Sequence, residues 1–162
     1  MRTLVYGRIN AAGCDTGEAR HALIAFHLQQ WQRAGSPVPV LEPMCGTGFF
    51  LIPFMEAGAE IDTVDASAHM LATCQQTCAT KGLSPGLYHQ SLEDLALPRQ
   101  YRFAFIPDRS FALIYHTDSA QACLRQLWEH LQPQGRLMLD VKPSAQPGAF
   151  GEPQQTEYEL QD

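Results

Sequence analysis

Runs of lysine or arginine are missing from this 162-residue chain, in which 11 basic residues stand against 17 acidic ones for a formal net charge of −6. The pI is near 5.4. That removes the electrostatic footprint by which proteins hold nucleic acid or anionic membranes, and a small soluble ligand is the expected partner. No stretch approaches the roughly 20 apolar residues of a membrane span, and the start has no basic segment followed by an apolar run. A soluble, cytoplasmic chain with no membrane partner is expected. CxxC pairs are also missing: the five cysteines, Cys14, Cys45, Cys74, Cys78 and Cys123, are odd in number and suggest neither a disulfide framework nor a zinc knuckle. Cys74 and Cys78 lie one helical turn apart in an amphipathic stretch, so with His69 they read as core residues, and no metal site is expected. Internal repeats and low-complexity tracts are absent.

What is there suits one core. At 45% hydrophobic and 17% charged residues, the chain is long enough for one ordinary domain and short for two. Asp15 followed by Glu18 resembles a capping box, and Ala22, Leu23, Phe26, Leu28 and Trp31 keep helical spacing until Gly35 and Pro37, which predicts a helix over about 16–34. The β-branched run VPVLE reads as a strand buried on both faces. FFLIPFMEAG then forms a short helix ended by Gly58, with Pro53 tolerated near its first turn. EIDTVDA is a second strand, Ser67 caps a helix that ends at Gly82, and GLYHQ is a third strand. YRFAFIP and GRLMLDV make a fourth and fifth, separated by a helix capped by Asp118 and running through Leu131. Strands alternating with helices mean βαβ units and a doubly wound, mainly parallel α/β sheet with helices on both faces. Residues 1–142 form this domain, with an N-terminal helical lid. Residues 143–162 are a tail rich in Pro, Gly and Gln, with Thr156 to Leu160 as one edge strand.

The turn CGTG at the exit of the first strand is the chemical signal. Ligands of open parallel sheets sit beyond the carboxyl ends of the strands, and glycine lets backbone approach a ligand with no Cβ between them. Gly46 and Gly48 therefore face a ligand. Asp65 ends the second strand, where a carboxylate accepts hydrogen bonds from ribose hydroxyls. The dinucleotide fingerprint G-x-G-x-x-G fails because its third position is Leu51, which with Glu42 makes a nicotinamide-dependent oxidoreductase the disfavoured reading. There is no Walker lysine. Glu42 repels pyrophosphate and attracts a cationic amino-acid end.

The stretch VLEPMCGTGFFLIPFMEAGAEIDTVDASAHML resembles motifs I and II of the class I S-adenosylmethionine-dependent methyltransferases. QSLEDLALP resembles their adenine loop and FAFIPDRSFALI their strand-four region, so the likeness spans about 38–141. It implies a Rossmann-like fold and S-adenosyl-L-methionine as cofactor, with S-adenosyl-L-homocysteine as product. By the same resemblance, Glu42 and the backbone of Cys45 to Gly48 hold the methionine part and Asp65 the ribose. Ala66 and Met70 cover the adenine, Leu92 and Glu93 meet its edge, and Ile106 completes the set. Met44 stands where the family often has a glycine, and Ser91 where it often has an aspartate.

Methyl transfer from a sulfonium is an in-line displacement, so a base is needed only where the acceptor must lose a proton. The candidates are Tyr6, Asp108, Arg109, Tyr115 and His116, with His116, Tyr6 and Tyr115 foremost; each also has an ordinary structural reading. The family continues after its fifth strand with a helix and an antiparallel strand pair. Either the sequence is C-terminally shortened, or the edge of the fifth strand is covered by the tail or by another subunit, which makes a homodimer an expectation. Two functions from different classes remain open: a methyltransferase acting on a small-molecule acceptor, and a catalytically silent methyltransferase-like binding or assembly module.

Overall fold

The computed structural model describes residues 17–141 together with the strand segments Thr3–Gly7 and Thr156–Glu159. The elements in chain order are β1 (Thr3–Gly7), α1 (Gly17–Arg33), β2 (Val40–Pro43), α2 (Leu51–Glu56), β3 (Ile61–Asp65), α3 (Ala68–Thr80), β4 (Gly86–His89), β5 (Tyr101–Ile106), α4 (Thr117–Glu129), β6 (Leu131–Asp140) and β7 (Thr156–Glu159). Two short 3-10 turns, Leu92–Asp94 and Ser110–Leu113, precede β5 and α4 respectively.

The strands form one sheet in the order β4-β3-β2-β5-β6-β1-β7. Neighbours from β4 to β1 are parallel, and β7 runs antiparallel to β1. The chain winds outward from β2 through β3 to β4, then returns to the other side of β2 as β5 and β6. The switch point between β2 and β5 opens a crevice at the carboxyl ends of the strands, where doubly wound sheets bind ligands.

Alternation along each strand splits the core. Val40, Ile61, Phe103, Phe105 and Met138 face α1, α2 and α3, burying Leu23, Trp31, Leu51, Phe54, Cys74 and Cys78. Leu41, Val64, Ala104, Ile106 and Leu139 face the opposite way, against Cys123 and Leu127 of α4. The Phe54 and Phe105 rings stack with centroids 4.6 Å apart. Such a pair adds about 0.5–1.5 kcal/mol beyond the area it buries. Below, at the amino ends of the strands, Asp62 accepts from Arg99 Nε at 2.7 Å and from the Tyr101 hydroxyl at 2.8 Å.

Some local expectations change. Helix α1 packs into the body of the fold through Leu23, His27 and Trp31, all buried. The edge of β6 is covered by β1, which pairs with it from Thr3↔Arg136 to Gly7↔Asp140, and the tail supplies β7 as the outer edge strand against β1. Asp118 does not cap α4; it sits in the first turn, where its charge suits the positive end of the helix, and the capping position is His116 with no side-chain bond. That helix ends at Glu129, so Leu131 already belongs to β6. Ser67 is the cap of α3, its hydroxyl accepting from Met70 N at 3.3 Å.

Candidate functional site

The turn after β2 is wound in a sense that L-residues avoid. Met44, Gly46 and Gly48 have φ of 58°, 55° and 86°. Glycine takes such angles at no steric cost, whereas Met44 bears a penalty of about 1–2 kcal/mol. A Cβ on Gly48 would lie 2.7 Å from Cys74 Sγ, so the turn is pressed onto α3 at that point. A Cβ on Gly46 would meet nothing within 4 Å.

The open space beside Gly46 is a cavity of about 450 Å³ at the carboxyl ends of β2 and β3. Met44, Gly46, Asp65, Ala66, Met70, Ser91, Leu92 and Glu93, all singled out from the sequence, line it. Val64, Ser67, Gln90, Ser110, Leu113, Ile114 and Cys123 line it as well. Ser67, Gln90, Ser110, Leu113 and Ile114 belong to stretches already noted, as a cap or within a motif; Cys123 arrives from α4 and carries no local signal. Four expected residues stand back from the cavity. Cys45 is buried in the turn, Gly48 lies against Cys74, Ile106 is fully buried in the core, and Glu42 is buried in β2.

Asp65 serves the turn before it serves any ligand. Its Oδ2 accepts from Gly46 N and its Oδ1 from Ser67 N, both at 2.8 Å, so one carboxylate joins the first strand's turn to the entry of α3. A carboxylate offers about four acceptor positions, leaving capacity on both oxygens toward the cavity.

Glu42 is the electrostatic centre. Only 1% exposed, it leaves Oε2 without a hydrogen-bond partner among the described residues. Its carboxyl is held well above the ordinary carboxylate range, first by burial and then by Cys45 and Asp65 nearby. A cation is what such a group lacks, since a buried carboxylate ionises readily only beside an opposite charge. Cys45 is also held protonated, through a hydrogen bond with Cys74 and through burial.

Of the candidate bases, Asp108, Arg109, Tyr115 and His116 are not among the residues that line the cavity. Tyr115 is 84% exposed and His116 is exposed at the start of α4, one and two residues beyond Ile114. Tyr6 lies on β1, opposite Leu139. Asp108 is exposed, and its N–H donates to Asp140. Among the described residues, no group of three His, Cys, Asp or Glu is arranged to hold a metal ion, and no helix is long and apolar enough to cross a membrane.

Residues 40–135 match the model of a family described as a methyltransferase domain. Similar solved structures include an S-adenosylmethionine-dependent methyltransferase from Clostridium acetobutylicum, with a TM-score of 0.71 and 20% identity over 79% of this chain and 52% of that one. Another is CalS10 with S-adenosylmethionine bound, an amino pentose methyltransferase from Micromonospora echinaspora involved in calicheamicin biosynthesis. Its TM-score is 0.70 and its identity 18%, over 78% of this chain and 52% of that one. A third is the glycopeptide N-methyltransferase MtfA complexed with S-adenosylmethionine, with a TM-score of 0.63 and 22% identity over 72% of this chain and 53% of that one. The chain thus spans about half the length of each of these. No curated protein matches it in a sequence search. At these identities the structural likeness establishes the Rossmann-like α/β fold.

Proposed function

Because the chain belongs to the methyltransferase-domain family, with the class I Rossmann-like fold, we propose that it binds S-adenosylmethionine and serves the transfer of its methyl group to a small-molecule acceptor. The observation that carries this reading is the cavity at the carboxyl ends of β2 and β3, where Gly46, Asp65 and the apolar surfaces of Ala66, Met70 and Leu92 meet. The free acceptor positions of Asp65 take the ribose hydroxyls. Ala66, Met70 and Leu92 sandwich the adenine, while Gln90, Ser91 and Glu93 supply polar groups at its edge. Glu42 takes the cationic amino-acid end, directly or through water.

S-adenosylmethionine supplies a methyl group on a positively charged sulfur, already activated for displacement. The chain's residues therefore have to orient and desolvate, and little bond chemistry falls to them. Among the structural relatives, an amino pentose methyltransferase and a glycopeptide N-methyltransferase support an amine as the first acceptor class to screen. The proposed acceptor enters from the β5 and β6 side of the crevice, because the β2 and β3 side is taken by the adenosine.

The test uses Met70, which is 42% exposed and so tolerates replacement without loss of the fold. Met70→Glu puts a charge against the adenine face. Calorimetric titration with S-adenosylhomocysteine is expected to weaken at least about tenfold, or about 1.4 kcal/mol, with little change in thermal midpoint. Unchanged affinity removes the adenine from this wall and the reading with it.

A further inference from the structure

One buried contact ties α1 to the wall of the cavity. Asp140, at the end of β6, accepts two hydrogen bonds on the same oxygen: His27 Nε2 of α1 and the N–H of Asp108 each donate to Oδ2 at 3.0 Å. Because a carboxylate only accepts, the imidazole proton lies on Nε2. Asp108 and Arg109 both have left-handed backbone, with φ of 52° and 61°. Two such L-residues in succession are strained and persist only where surrounding contacts hold them. From Arg109 the chain enters the Ser110–Leu113 turn directly, and Ser110, Leu113 and Ile114 line the cavity.

Stability does not account for the pair. His27 is fully buried, with the rings of Phe26, Phe50 and Phe105 at 5.9, 5.4 and 5.1 Å. Its Nδ1 and the second oxygen of Asp140 have no hydrogen-bond partner among the described residues. Buried polar atoms left unpaired oppose folding; apolar residues at both positions together would avoid them, whereas removing one partner leaves the other buried and uncompensated. What the pair does hold is the N–H of Asp108, the first residue of the strained corner.

We infer that His27 and Asp140 are positioning residues of the cofactor site. The imidazole fixes the carboxylate, the carboxylate fixes the Asp108 amide, and the left-handed corner then sets the Ser110–Ile114 wall against the adenosine end of the cavity. The clamp stands on its own contacts; its effect on ligand affinity rests on the cofactor reading given above. Helix α1 thereby contributes to the site although none of its described side chains lines the cavity.

The experiment pairs amide hydrogen exchange with S-adenosylhomocysteine titration on the full chain. The amides of Asp108, Ser110, Ala112 and Ile114, all hydrogen-bonded here, report on the corner. Amides of β3 serve as the control. His27→Leu and Asp140→Ala break the clamp; His27→Gln keeps a donor. Breaking variants are expected to speed exchange at the corner at least tenfold with β3 unchanged, and to weaken S-adenosylhomocysteine at least tenfold. Each breaks a different partner, so either one suffices if the other does not fold. His27→Gln is expected to recover most of both effects, which a role in packing alone would not produce. Equal exchange at the corner in wild type and a breaking variant overturns the clamp. Wild type that does not bind S-adenosylhomocysteine overturns the cofactor reading instead, and the exchange data then decide the clamp alone.

Discussion

Glu42 is the residue whose environment makes the sharpest statement. Burial, with Cys45 and Asp65 close by, raises its carboxyl above the ordinary range in the ligand-free chain. The folded state therefore keeps a proton that the unfolded state releases, so stability is fully present below the ordinary carboxylate pKa and falls as pH rises toward the folded value. A cationic ligand reverses the preference and drives the proton off. S-adenosylhomocysteine is thus expected to bind more tightly as pH rises, by at most about tenfold per pH unit, with proton release visible as a buffer-dependent heat. Glu42→Gln is expected to abolish that slope and to weaken binding by about 1.5–3 kcal/mol, the worth of a hydrogen bond to a charged group. Affinity independent of both pH and this substitution would separate Glu42 from the ligand. The sequence showed Glu42 and Asp65 as acids near strand ends; in the structure Asp65 lines the cavity and Glu42 is buried in β2 behind it. It did not show that Asp65 already holds Gly46 and Ser67, because those bonds depend on how the β2 turn and the α3 entry meet. His27 was illegible for the same reason: its partner Asp140 lies 113 positions away.

At the scale of elements, the turn between β2 and α2 separates folding from binding within three residues. Gly48→Ala combines left-handed backbone with a Cβ 2.7 Å from Cys74 Sγ, and is expected to cost about 2–4 kcal/mol of stability. Gly46→Ala has the backbone penalty alone, about 1–2 kcal/mol, but directs its methyl into the cavity, so it is expected to lose more affinity than stability. Thermal melts and S-adenosylhomocysteine titrations of the two variants check this; equal behaviour in both would contradict the assigned geometry. The inner strands were legible because they are short apolar, β-branched runs between glycine and proline signals. The placement of β1 was not, since a short apolar segment near the start becomes a strand only by pairing with β6. Asp118 looked like a cap from its position, yet the helix starts one residue earlier, a boundary that depends on the loop leaving Ile114.

For the whole molecule, the fold follows from alternation of strands and helices, and the site follows from the switch in winding between β2 and β5. The half of the crevice over β2 and β3 was legible, because glycines and a strand-end acid announce it. The half over β5 and β6 carries no comparable signal in the sequence, and the chain spans about half the length of the solved structures it resembles. The central claim is that the cavity beside Gly46 and Asp65 is shaped for S-adenosyl ligands and that Glu42 excludes pyrophosphate. Calorimetric titration of the chain with S-adenosylhomocysteine, with NAD as the control, tests it most directly. Saturable one-to-one binding of S-adenosylhomocysteine with no heat from NAD is the predicted result; binding of NAD, or of neither, would contradict it.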